Sequence, residues 1–178
     1  TTSSGQDIFE NVFARLKFTR DPNTSDNFER MEIKDQTAFD RFHKNLYDPT
    51  TAANNHIQLT VINPGEIQIA QVGTGAVLDV LPFAPDTAFQ YSGIEFEFSA
   101  QVGETTQLTL APPQKKNLAE TINDFIIALE DNTLASNGFD TRISDTLVGI
   151  DNAMNKISVE SSSIGGRLNI ADAIYASN

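Results

Sequence analysis

A chain of 178 residues with 39% apolar content can build one ordinary domain or two small ones. Its 24 acidic against 12 basic residues give a formal net charge of −12, which leaves no electrostatic footprint for nucleic acid or an anionic membrane surface. The lack of cysteine excludes disulfides, thiolate zinc sites and thiol nucleophiles, and no apolar run reaches the roughly eighteen residues a membrane span needs.

The first residues, Thr1 to Gln6, are small and polar. They lack the basic and apolar regions of a signal peptide, and no Met initiates the chain, so it reads as processed or as a fragment. Next, Ile8, Phe9, Val12, Phe13 and Leu16 fit a helix, whereas Val12, Ala14, Leu16 and Phe18 fit a strand. The expectation is a helical or irregular start followed by a strand. Asp21 to Glu32 carries oxygen side chains at positions one, three, five, seven, nine and twelve of an EF-hand loop. Asp26 stands where that loop needs Gly for its sharp turn, which makes an acidic surface turn the better reading. Asn23-Thr24-Ser25 matches a glycosylation sequon, which carries weight only in a eukaryotic secretory context. Phe39, Phe42, His43 and Leu46 then fall at helical spacing between Asp35-Gln36-Thr37 and Asp48-Pro49, predicting a short helix with His43 on its apolar face.

From Ile57 to Leu110 the pattern is β. Ile57, Leu59 and Val61 alternate with polar residues before the turn Asn63-Pro64-Gly65. Ile67 and Ile69, then Val77 to Leu81, then Ile94, Phe96 and Phe98, and Leu108 with Leu110 continue it. About five short strands predict a small antiparallel sandwich or barrel-like module. His56 opens the first strand, Gly73-Thr74-Gly75 is a turn rather than a dinucleotide fingerprint, and Glu95 and Glu97 form a solvated strand face. Pro112-Pro113 makes a stiff exit into the helices.

Two helices follow. Leu118, Ile122, Phe125 and Leu129 repeat at helical spacing, with Asn117 as cap and Glu120 and Asp124 early, where the dipole favours anions. Asn137-Gly138 breaks the chain, and Asp140 or Thr141 caps a second helix whose apolar series runs Ile143, Leu147, Ile150, Met154, Ile157, Ile164, Leu168, Ala171. The spacing alternates four and three, interrupted where Ser161 holds a seam position, and describes a coiled-coil-like stripe. Helices near 117–131 and 141–176 would form an antiparallel hairpin, and the longer would extend roughly 50 Å at 1.5 Å per residue. The short helix cannot cover the far half of the long one, so the stripe needs other helices or other subunits. No histidine or carboxylate constellation reads as a metal, cofactor or catalytic site. Ser161 to Ser163 and Gly165-Gly166 suit close helix approach, at about 1 kcal/mol of propensity per Gly.

Ser162-Ser163-Ile164-Gly165-Gly166-Arg167-Leu168-Asn169, inside a long heptad helix, resembles the segment before the terminal helix of the flagellin superfamily. Asn117 to Leu129 with its turn and second helix, and Tyr91 to Phe98 running through Val102-Gly103-Glu104 to the strand 107–110, resemble the hook–filament junction (hook-associated protein 3) family. So does Ser4 to Phe9, as an entry into an outer β domain.

The resemblance implies an α+β fold: a helical inner domain made from 1–14 and 113–178, with a β-rich outer domain at 15–112 between them. It implies a cofactor-free structural adaptor outside the cell, part of a ring between a neighbouring hook-associated protein and flagellin. Terminal helices absent from this segment would carry the self-association, and no nucleic acid or membrane would be bound. The competing expectations are flagellin itself, or a surface-assembly, adhesin or phage-tail binding module with a β domain on a helical stalk.

Overall fold

The computed structural model describes residues 9–21, 28–131 and 136–176, with backbone alone at 28–29 and 136–137. In chain order its elements are β1 (Val12–Phe13), β2 (Phe18–Arg20), β3 (Phe28–Ile33), α1 (Gln36–Leu46), a 3₁₀ turn (Ala52–Asn55), β4 (His56–Asn63) and β5 (Glu66–Gln71). There follow β6 (Val77–Pro82), β7 (Phe89–Tyr91), β8 (Ile94–Phe98), β9 (Thr105–Leu110), β10 (Lys115–Lys116), α2 (Leu118–Glu130) and α3 (Ser136–Ala176). Two compact units result, one spanning Leu16–Pro112 and the other combining Thr1–Arg15 with Pro113–Asn178.

The first unit holds a five-stranded antiparallel sheet, in the order β2-β9-β4-β5-β6, and a three-stranded one, β3-β8-β7. Strict alternation explains why these strands have one buried face. Ile57, Leu59 and Val61 of β4, Ile67 and Ile69 of β5, and Leu108 and Leu110 of β9 are buried, and so are Ile94, Phe96 and Phe98 of β8. All belong to one apolar cluster, joined by Phe39 and Phe42 of α1. Ring contacts organise that cluster: Phe89 stacks on Phe96 at 5.3 Å and meets Phe98 edge-on at 5.7 Å. Such pairs add about 0.5–1.5 kcal/mol beyond the area they bury.

Local chemistry sets the element ends. Asp35 caps α1 by accepting from the Ala38 amide at 3.0 Å. His43 is fully buried on this helix, stacked on Tyr47, and its Nε2 donates to the Ala111 carbonyl at 2.7 Å. Its role is packing and a satisfied hydrogen bond. His56 lies at the start of β4 with Nδ1 2.9 Å from the Thr109 hydroxyl. Ser92 and Gly93 both have positive φ (50° and 82°), the pattern a two-residue I′ turn between β7 and β8 demands. A Cβ at Gly93 would meet the Asp35 carbonyl and the Phe39 amide nitrogen, so this turn presses directly on the start of α1.

Several sequence expectations change. The β region is not one set of five strands: the 57–110 stretch carries a further strand at Phe89–Tyr91, and both sheets recruit strands from the first fifty residues. Of the acidic loop 21–32, residues 22–27, including the sequon, lie outside the described residues. Its end forms β3, where an EF-hand needs an exiting helix. Arg30 lies 3.8 Å from Glu95 and 3.4 Å from Glu97 across the β3–β8 ladder, and Glu32 pairs with Lys34. That hydrogen bond, with the neighbouring positive charges, holds the Glu32 carboxyl below its usual range against a small cost of burial. α3 begins at Ser136, so Asn137-Gly138 lies inside it and neither Asp140 nor Thr141 caps it. Phe139 compensates for the poor helix formers by packing its ring 6.3 Å from Phe125. Gly165-Gly166 are traversed without a break.

Candidate assembly surface

The second unit is built on α3. Asn117 caps α2 by accepting from the Ala119 amide at 2.8 Å. Its contacts with α3 run in opposite chain directions: Leu118 and Thr121 lie against Gly149, while Phe125 lies against Phe139. A Cβ on Gly149 would sit 3.2 Å from Thr121 Cγ2, so the missing side chain is what lets the helices approach. Thr146 and Ala153 flank Gly149 on the same row and are buried. The Thr146 hydroxyl donates to the Arg142 carbonyl at 2.9 Å, which disposes of its polar group.

The segment 11–15 runs along α3 as well. β1 pairs with β10, Val12 opposite Lys116 and Phe13 opposite Lys115, and Val12 is buried. Arg15 Nε donates to Asp145 Oδ1 at 2.7 Å in a mostly buried ion pair. Asn152 Nδ2 donates to the Phe13 carbonyl at 2.8 Å, and Lys156 Nζ reaches the Asn11 carbonyl at 3.5 Å. The covered face of α3 is therefore the row through Asp145, Thr146, Gly149, Asn152 and Ala153.

The apolar stripe read from the sequence is a different row. Leu147 and Met154 are 62% and 63% exposed, whereas Ile150 and Ile157 keep only 37% and 39% of their surface open and Ile143 is half-buried. Farther along, Ile164, Leu168 (60% exposed) and Ala171 face solvent. From Ser161 to Ala176 every residue is exposed except half-buried Gly165, so the last four turns pack on nothing in the described chain. On α2, Leu118 and Phe125 are half-buried, whereas Ile122 and Leu129 are exposed together with Ile126 and Ile127. The structure thus joins α2 and α3 through small residues together with Leu118 and the Phe125–Phe139 pair, and leaves Ile126, Ile127, Leu129, Leu147 and Met154 outward. Sequence reasoning missed the Thr146–Gly149–Ala153 row, whose signal was small residues at helical spacing.

Burying a large aliphatic side chain fully is worth about 1.5–3 kcal/mol. Covering the exposed half or more of Leu147, Met154, Ile164 and Leu168 would therefore release on the order of 5 kcal/mol. A soluble monomer has no reason to display such a row. Among the described residues no group of three or more His, Cys, Asp or Glu converges to hold a metal ion, and no helix is long and apolar enough to cross a membrane. What this surface can do chemically is bind another apolar surface.

No protein-family profile matches the chain, and no curated protein sequence matches it. Solved structures resemble it at low identity. One, FlgL from Xanthomonas campestris, is 14% identical, with 94% of this chain and 54% of that one covered and a TM-score of 0.45. The flagellar junction protein FlgL from Legionella pneumophila is 14% identical over 99% of this chain and 56% of its own, with a TM-score of 0.46. The flagellar hook associated protein-3 from the same organism is 15% identical over 97% and 57%, also at 0.46. The chain thus spans little more than half the length of these proteins.

Proposed function

We propose that the chain is a hook-associated structural component of the bacterial flagellum, an adaptor in the ring at the hook–filament junction, and that it is not an enzyme. The observation that carries this reading is the uncovered stripe of α3: an apolar row on a helix of 41 residues, with nothing of the described chain against its last four turns. The small-residue, Gly-Gly-Arg-Leu-Asn pattern on that helix and the β-rich segment before it support the same assignment. In this reading the stripe completes an antiparallel helical hairpin and bundle with terminal helices of the whole protein, outside the cell. Those helices carry self-association in the ring, with a neighbouring hook-associated protein on one side and flagellin on the other. The work is mechanical and needs no cofactor.

The test is cellular. Deleting the gene should leave hooks without filaments, and immunogold labelling of the tagged protein should decorate the boundary between hook and filament. Label along the whole filament would identify flagellin, and label away from flagella would overturn the assignment.

A further inference from the structure

Each sheet of the first unit ends in two edge strands, whose outer backbone groups are a template on which a further strand can pair. β2 and β7 are three residues long and offer little to pair with. β3 is six residues long, but it bulges between Phe28 and Arg30 and its sequence carries Glu29, Arg30 and Glu32. β6 is the other long edge, also of six residues, and Val77 and Val80 on it are exposed. A long edge with exposed valines is the kind that joins the same edge of another copy unless something prevents it.

Three features of β6 fall where such a pairing would form. The Phe83 amide donates to the Gly65 carbonyl at 2.8 Å, and Leu81 lies opposite Ile67. Backbone groups alternate in direction along an antiparallel ladder, so positions 80 and 82 are the ones aimed away from β5. The Val80 amide donates to Asp79 Oδ1 at 2.8 Å, and position 82 is proline, which has no amide proton. Neither position therefore holds a donor ready for a new strand. Asp79 is also the one charged residue of β6, and it lies opposite the buried Ile69. Its exposed carboxylate thus stands on the core-facing side of the rim, where an added strand would desolvate it. Finally, the register shifts between Ile69 and Ala70, which inserts Leu78 as an extra residue and bends the edge.

We propose that β6 is a guarded edge, on which Asp79 and Pro82 keep a second copy of this chain from adding its own β6 to the five-stranded sheet. The two residues act by different means. Asp79 occupies one outward amide and would set like charges from two copies on one rim, and Pro82 removes the next donor. The proposal stands on the strand's own geometry and does not depend on the flagellar assignment.

The experiment removes the guard. Asp79→Thr with Pro82→Thr restores both outward donors and takes away the charge. Asp151→Thr with Pro85→Thr removes one acid and one proline away from the edge and serves as the control. Amide hydrogen exchange is followed residue by residue by NMR, which separates pairing at β6 from any association through α3. A pairing with a Kd of about 0.1 mM should slow exchange at positions 80 and 82 of the first variant about threefold at ~1 mM relative to ~50 μM. Exchange of the Val80 amide in the unaltered chain and in the control should not depend on concentration. Pro82→Thr alone should show the same effect in smaller degree, and carries the test where the double variant does not fold. Exchange independent of concentration in the folded edge variants, an equal effect in the control, or slowing at Val80 in the unaltered chain would each overturn the proposal.

Discussion

Three glycines of one helix make a test of where α3 is covered. At Gly165 and Gly166 a Cβ would meet nothing within 4 Å, whereas at Gly149 it would sit 3.2 Å from Thr121 Cγ2. Gly is about 1 kcal/mol worse than Ala in a helix interior. Gly165→Ala and Gly166→Ala should therefore each stabilise the distal turns by about 1 kcal/mol, with no opposing contact. Gly149→Ala gains the same propensity but pushes Thr121 away from a close helix crossing, an overpacking cost of about 1–3 kcal/mol that cancels or outweighs the gain. Hydrogen exchange of the α3 amides reads the difference locally, and denaturant unfolding reads it globally. The distal variants should slow exchange across 160–176 roughly fivefold, since 1.4 kcal/mol is tenfold in an equilibrium constant. Gly149→Ala should leave that stretch unchanged and lower the midpoint of the second unit. If the distal alanines destabilise the chain and Gly149→Ala stabilises it, the assignment of covered and open faces is wrong.

Other outcomes follow from the same geometry. Gly93→Ala combines a positive φ with a Cβ driven into the Asp35 carbonyl, and should cost the first unit about 2–4 kcal/mol in urea unfolding. Phe96→Ala removes a fully buried ring from the centre of its aromatic cluster and should cost about 3–5 kcal/mol in the same assay. The Asp48 carboxylate accepts from the Thr50 hydroxyl, the Thr50 amide, the Asn54 side chain and the Thr51 amide, which holds its carboxyl well below the usual range. A depressed carboxyl contributes stability that is present above the unfolded value of about 4 and lost as pH falls through the folded one. Asp48→Asn should therefore flatten the acid limb of the stability profile below about pH 4 and leave its slope at neutral pH unchanged.

Much of the fold could be read from residue order because one period dominates each region. Ile57, Leu59 and Val61 announce β4 by alternation, Asn117 and the four-three spacing after it announce α2, and Asp35 announces α1. β3 was not legible because its sequence, Phe-Glu-Arg-Met-Glu-Ile, carries three charges; of these, Arg30 finds its partners across the ladder on β8 and Glu32 beside it at Lys34. β7 is three residues long and only register against β8 defines it. The start of α3 was misplaced because Asn137-Gly138 locally favours a break, and the contact between Phe139 and Phe125 offsets that preference. At the candidate surface, the large apolar side chains were legible, but the side they face was not. Helical spacing specifies which residues share a row, while the choice of covered row rests on small residues and on pairings such as Arg15 with Asp145, far apart in sequence.

Whether the α3 stripe is an assembly surface can be measured most directly by hydroxyl-radical footprinting of this chain alone and of the whole protein in isolated hook–filament preparations. Leu147, Met154 and Leu168 should react readily in the chain alone and be protected in the assembled whole protein, while exposed Val102 on the first unit serves as an internal reference for labelling. Equal reactivity of the three α3 residues in both states would contradict the account.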